Sequence, residues 1–208
     1  MRGQPLQTLL TSTSLLVIAS VVVVSVLAFA SDGVRSALLL SPSRVRKGEV
    51  HRLLTAGWVH VDASHLFFNM LTLWFFADEV VKVIGDARFL LLYASAVVVA
   101  FIPTTLRHMD NRRYASVGAS GAVAAVMFSA ILLHPEMKLY LMFLPFKIPA
   151  LFYALGYLAY SIWHSYRAND GVNHDAHFSG ALYGCLLTWV FEPARVSRAL
   201  GSLSRFWS

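Results

Sequence analysis

Charge is scarce in this chain. Asp, Glu, Lys and Arg together make up 13% of its 208 residues, whereas a soluble domain carries about 25%. That shortfall excludes an ordinary water-facing surface over most of the molecule. With 57% hydrophobic residues and a mean hydropathy of +0.61, the chain reads as an integral membrane protein built as one helical bundle. A spanning helix takes about 20 mostly apolar residues, so the length accommodates roughly five to seven spans with their loops. Cysteine is nearly absent: Cys185 stands alone, which excludes an internal disulfide, and its apolar neighbours suit a small packing side chain. No HExxH motif or Cys/His cluster is present to hold a metal, and neither a metal nor an organic cofactor is expected. No nucleic-acid motif accompanies the net charge of +6 and the pI of about 9.7. The basicity is read as lipid-headgroup contact and topology. There is no internal repeat or low-complexity segment, and residues 1–208 read as a single membrane domain with no separate soluble domain.

What is present is a series of apolar runs. The first, Leu9 to Ala30, is longer than the apolar core of a secretory signal, although Ala28-Phe29-Ala30 imitates a signal-peptidase site. A retained first span is expected, with a cleaved signal as the alternative. Ser31 to Asp62 is a long connection rich in arginine, suited with Trp58 to lie in the membrane interface. The second span is expected over Ala63–Ile84, followed by a tight turn at Gly85-Asp86-Ala87-Arg88, and the third over Phe89 to Leu106. After a polar loop the fourth begins near Val117 and stops at His134-Pro135-Glu136, as proline requires. Leu139–Phe146 is apolar but too short to span and reads as an interfacial loop. The fifth span covers about Ile148–Trp163, a polar loop Arg167–Asp175 follows, and the sixth covers about Ala176–Phe191. Lys and Arg divide almost evenly between the two sides, so the positive-inside rule does not orient the chain.

The unusual polar residues fall in a pattern. His65 and Asn69 lie in the first turns of the second span, Ser120 in the first turn of the fourth, and His177 in the first turn of the sixth. Even-numbered spans run the same way across a bilayer, so all four sit at similar depth below one face. Polar groups inside a span are costly and default to a functional reading. His65 and Asn69 are four apart and share a helix face. Ser120 and His177 can meet only in the folded bundle, and two small-xxx-small pairs, Gly121/Ala125 and Gly180/Gly184, let their helices approach closely. Gly118 belongs to the same set of packing glycines. A Ser–His contact with extra donors is what acyl transfer requires: the histidine takes the serine proton and later protonates the leaving amine, while the donors hold the developing oxyanion. Each piece alone has a plainer meaning, since Gly-x-Ser-Gly in a Gly/Ala-rich helix usually marks packing. His51, His60, His108, His134, His164 and His174 fall in loops or near span ends, where a solvated histidine is the default.

Three segments together carry a resemblance: His60-Val-Asp-Ala-Ser-His65-Leu-Phe-Phe-Asn69-Met70, then Gly118-Ala-Ser120-Gly121, then Ala176-His177-Phe-Ser-Gly180-Ala-Leu-Tyr-Gly184. In this order and spacing the chain resembles the rhomboid intramembrane serine proteases, over about residues 48–193. The resemblance implies an all-α polytopic membrane bundle of six transmembrane helices with both termini cytoplasmic. It implies Ser120 as nucleophile and His177 as general base, a dyad without an acidic third member. His65, Asn69 and the Ser120 backbone N–H would form the oxyanion hole. The partners it implies are single-span membrane proteins, cut in or beside their spans, and the lipid bilayer. The Arg167–Asp175 loop would cap the site, the fifth span would be a lateral gate, and the site would open on the extracytoplasmic side. A bacterial inner membrane is the expected home, because no organelle transit peptide is recognisable.

Two departures from the family pattern stand out. A Trp-Arg pair is common in the first loop of the family, where this chain has His51-Arg52. Many members carry an aromatic residue four positions after the serine, stacked on the catalytic histidine, where this chain has Ala124. The second departure keeps open a catalytically inactive relative that binds transmembrane clients. A small transporter lined by the same polar residues is the remaining alternative, disfavoured because they gather at one face.

Overall fold

A chain in lipid must satisfy its backbone hydrogen bonds within each segment, and the apolar runs accordingly fold as helices. The computed structural model describes residues 12–140, 146–167 and 173–203. Along the chain these form α1 (Thr13–Ala30), α2 (Asp32–Leu38), α3 (Pro42–Val45), α4 (Arg52–Thr55), a 3-10 turn (Ala56–Trp58), α5 (Ala63–Ile84) and α6 (Asp86–His108). There follow α7 (Ser120–Leu133), β1 (Lys138–Tyr140), β2 (Lys147–Pro149), α8 (Ala150–Arg167), α9 (His174–Phe191) and α10 (Pro193–Leu203). By length and composition, α1 and α6 are long and apolar enough to cross a membrane; α7 and the 150–163 part of α8 are apolar but shorter. Helices α5 and α9 carry the polar residues of the constellation in their first turns.

Several boundaries differ from the sequence expectation. The turn between the second and third spans is not four residues long. Gly85 alone breaks the chain, with φ of +79°, and Asp86 already opens α6, where an acidic side chain complements the helix dipole. The fourth helix starts at Ser120, not at Val117. The apolar stretch 139–146, expected as a loop, contributes instead to a hairpin outside the all-α plan: β1 pairs antiparallel with β2, Leu139 opposite Ile148. Residues 141–145 of that stretch, 168–172 of the expected capping loop, 9–11 of the first run and 204–208 of the tail lie outside the described residues.

Helix α7 is at the centre. Gly121 to Ile131 are all buried, as is Leu133, the pattern of a helix that is apolar all round. Its closest neighbour is α9. A Cβ built on Gly180 would lie 2.1 Å from the Gly121 carbonyl oxygen, and one on Gly184 would lie 2.2 Å from that of Ala125. The two small-xxx-small pairs therefore face each other, backbone against backbone. One turn deeper, Thr188 donates to Ser129 Oγ at 2.7 Å, and Ser129 donates to the Ala125 carbonyl at 2.7 Å. Both hydroxyl residues are fully buried, so every polar atom in this seam has a reason to stay paired.

Helix α1 belongs to this bundle. Val17, Val21, Ser25 and Ala28 are buried on one side of it, and Ser14 donates to Asp78 on α5. The connection after α1 is folded, not slack. Arg52, 3% exposed, donates from Nη1 to the Ser36 and Leu39 carbonyls at 2.9 and 2.8 Å and pairs through Nε with Glu49 at 2.7 Å. That hydrogen bond holds the Glu49 carboxyl below its ordinary pKa. Arg52 thus anchors the loop without the usual tryptophan beside it. A single antiparallel bridge, Leu40 with Ser116, ties the connection to the loop that leads into α7.

Candidate active site

Each side chain of the constellation is placed by a local device. Asp62 caps α5 by accepting the His65 amide at 2.8 Å; with the Ser64 hydroxyl as the larger cause, these bonds hold the Asp62 carboxyl below the usual range. His65 and Asn69 then project from the first two turns of α5, and the Asn69 side chain donates to the His65 carbonyl at 2.9 Å. Asn173 caps α9 by accepting the Ala176 amide at 3.1 Å. The same Asn173 accepts from Thr104 at 2.7 Å and donates to Ser116 at 3.1 Å. One amide side chain therefore joins α6, the loop before α7 and the start of the helix that carries His177.

The loop before Ser120 requires glycine at 118 on two counts. Its φ is +125°, and a Cβ there would lie 2.7 Å from His65 Cε1. L-residues with side chains avoid that backbone region. Gly118, grouped by sequence with the helix-packing glycines, is therefore a loop residue seated against the His65 ring, whereas Gly121, Gly180 and Gly184 do pack helices. Helix α7 begins at Ser120 with no side-chain cap. The first amides of a helix lack intrahelical acceptors and lie at the positive end of its dipole.

The outcome is that His177 Nε2 lies 2.7 Å from Ser120 Oγ, across 57 residues of sequence. His65, Asn69, Ser120 and His177 all line one cavity of about 1050 Å³. The four residues, expected at one depth from span parity, are brought by the fold to one space. Arg35, Asp62 and Arg107 also line it, with Arg107 paired to Asp175 at 2.7 Å. Among the described residues no group of three or more His, Cys, Asp or Glu is placed to hold a metal ion.

Four contributors escaped the sequence reading. The first is His60, expected to be solvated but 0% exposed. Its Nε2 accepts the Ala119 amide at 3.3 Å, so its Nδ1 carries the proton and donates to Ser25 Oγ at 2.8 Å; Ser25 in turn donates to the Trp58 carbonyl at 2.8 Å. Burial pushes the His60 pKa down to about 3, so the ring is neutral, as this arrangement needs. Its flanking Val59 and Val61 were the available signal. The second is Asn173, whose Asn-His-Asp context at a helix start is a capping signature. The third is Tyr157 on α8. Its ring lies 6.1 Å from that of His177 with an interplanar angle of 24°, and it also meets Phe128 at 5.6 Å. Nothing in the local sequence marks it. The fourth, His174, also expected in solvent, is 4% exposed and meets the His177 ring edge-on at 5.9 Å.

Residues 47–194 match the model of the Rhomboid domain. The chain belongs to the rhomboid family. It is 28% identical over 158 residues to RHOMBOID-like protein 12, mitochondrial, of Arabidopsis thaliana, covering 69% of this chain and 47% of that protein. It is 30% identical over 134 residues to the human Presenilin-associated rhomboid-like protein, mitochondrial, covering 64% of this chain and 35% of that one. It is 30% identical over 154 residues to YdcA of Bacillus subtilis (strain 168), covering 70% and 69%. The chain thus spans less than half the length of these two mitochondrial relatives. Rhomboids are integral membrane proteins, generally serine proteases that act on membrane proteins within the bilayer. The relatives include mitochondrial proteins as well as a bacterial one, so the comparisons support an integral membrane protein and do not single out the bacterial inner membrane expected from the sequence.

Proposed function

We propose that this rhomboid is an intramembrane serine endopeptidase that cuts single-span membrane proteins within or next to their spans. The observation that carries the proposal is the 2.7 Å contact between His177 Nε2 and Ser120 Oγ at the uncapped start of a buried helix. His177 Nε2 takes the hydroxyl proton as Ser120 Oγ bonds to the scissile carbonyl carbon. The carbonyl oxygen becomes an oxyanion, held by the Ser120 amide and by donors from His65 and Asn69. As the C–N bond breaks, His177 returns the proton to the leaving amine, leaving an acyl ester on Ser120. Water from the cavity repeats the sequence: it gives its proton to His177, attacks the ester, and releases a new carboxyl terminus and the free hydroxyl. The chain's own residues suffice for each step.

The proposal includes six spans, α1, α5, α6, α7, α8 and α9, with both chain ends on the face opposite the cavity and, in a cell membrane, cytoplasmic. Ser14 with Asp78, and Arg88 with Glu192, tie the start of α1, the end of α5, the start of α6 and the end of α9 to one end of the bundle. A client-binding protein without catalysis is the second reading, and Ala124 is the residue that favours it.

The test is cleavage of a single-span reporter by purified protein in liposomes, with products read by mass spectrometry. Ser120→Ala and His177→Ala are each expected to lose at least about 1,000-fold in rate while melting like the wild type. Wild-type cleavage by Ser120→Ala would sink the proposal. Client capture with no product from the wild type would favour the second reading.

A further inference from the structure

We infer that Tyr157 is a positioning residue for the His177 imidazole, doing from α8 what no side chain on α7 does in this chain; the inference rests on the protease reading above. Ala124 lies one turn beyond Ser120 on the same face of α7. It is 2% exposed and belongs to an apolar cluster that also holds Met127, Phe128 and Ala181, with Tyr153 and Tyr157 packed against it. A methyl group at 124 leaves the space beside His177 open to a ring from another helix. Tyr157 takes that space. Its plane is within 24° of the imidazole plane, and Phe128 and Tyr153, at 5.6 and 6.2 Å, brace it from α7 and from one turn away on α8.

The consequence for the base is geometric. An imidazole turns about two side-chain bonds, and a hydrogen bond to Ser120 fixes only the direction of Nε2. A parallel ring restricts rotation of the imidazole plane, so the histidine keeps its lone pair on Oγ between turnovers. Tyr157 also lines the cavity, but the contact proposed to matter is the one with the His177 ring. Its removal is therefore expected in the chemical step and not in substrate affinity.

The experiment uses the full chain in liposomes and two readouts. One is the rate at which a small fluorophosphonate labels Ser120, which needs the base but not a transmembrane substrate. The other is reporter cleavage with kcat and KM separated. Tyr157→Leu is expected to slow labelling and lower kcat by about tenfold, with KM changed by less than about twofold. Tyr157→Phe, which keeps the ring, is expected to behave as wild type in both. Adding Ala124→Phe to Tyr157→Leu, which returns a ring from α7, is expected to recover most of the labelling rate. Tyr157→Met replaces Tyr157→Leu if the latter does not fold. Labelling at the wild-type rate in Tyr157→Leu, a loss confined to KM, or a double variant no faster than the single one would each overturn the inference. Absence of labelling in the wild type would instead count against the protease reading itself.

Discussion

The two flanks of His177 are held in opposite ways. On the α7 side, backbone meets backbone: Gly180 and Gly184 sit so close to Gly121 and Ala125 that no Cβ fits between them. On the α8 side the contact is ring to ring, Tyr157 against His177, and the helix turns Phe152, Leu155 and Trp163, each more than half exposed, away from the bundle. Gly156 of α8 has nothing within 4 Å of where a Cβ would stand. The first flank fixes a distance and has no tolerance for added volume. The second sets ring against ring, where side chains can yield and backbone cannot. Under the proposed function, keeping Ser120 and His177 together while admitting a helical substrate calls for both kinds of contact, on different sides of the same residue.

The comparison breaks hardest at the glycine seam. Gly180→Val places carbon atoms about where the Gly121 carbonyl stands, and backbone cannot yield as a flexible side chain can. A loss of about 3 kcal/mol or more is expected, with no active protein recovered, as read by thermal unfolding in detergent. A Gly180→Val protein that melts like the wild type would show that the seam is not rigid.

A second, intermediate effect concerns the brace behind the serine loop. The folded His60 has a pKa of about 3 against an ordinary 6.5. Between these values the unfolded chain binds the proton and the folded one does not, so stability rises with pH there. The contribution is complete above pH 6.5 and is lost as pH falls toward 3, at most roughly 4–5 kcal/mol in all. Unfolding followed against pH should therefore fall less steeply over this window in His60→Gln than in the wild type. The variant should also be less stable at neutral pH by about 1–3 kcal/mol, since the Ala119 amide and Ser25 lose their partner. Parallel curves would remove His60 from the account.

The smallest effect sharpens the other flank. Gly156→Ala is expected to stabilise α8 by about 0.5–1 kcal/mol through helix propensity alone, with cleavage retained. A destabilised variant would mean that α8 packs more tightly on that side than the open space implies.

How much of this was legible beforehand depends on what kind of signal each residue leaves. The helices were legible because apolar runs of that length leave the backbone little choice, and α5 runs over Ala63–Ile84 as expected. Ser120, His177, His65 and Asn69 were legible because polar groups in apolar runs stand out, and span parity gives depth without a structure. The seam was legible from the spacing of Gly180 and Gly184. The hairpin of β1 and β2 was not, because a short apolar stretch carries no period. His60 was misread because loop position suggests solvent, while its burial comes from Ser25 and Ala119, 35 and 59 residues away. Tyr157 was invisible for the same reason. Its meeting with His177 is tertiary, and tyrosine in a membrane helix is unremarkable in sequence.

The length of α7 has one more consequence. Its 14 residues, at about 1.5 Å each, reach about 21 Å, while the hydrocarbon slab is about 30 Å thick. As one of the proposed spans the helix is short by about 9 Å, and because residues 121–131 are all buried, neighbouring segments and water close the gap, not lipid. Because Ser120 opens the helix, a far end seated at the opposite interface puts the whole deficit on the Ser120 side. The hydroxyl then lies below the headgroups at a depth set by chain length, and a thicker bilayer carries it deeper while the Gly180–Gly121 contact keeps its distance to His177 unchanged.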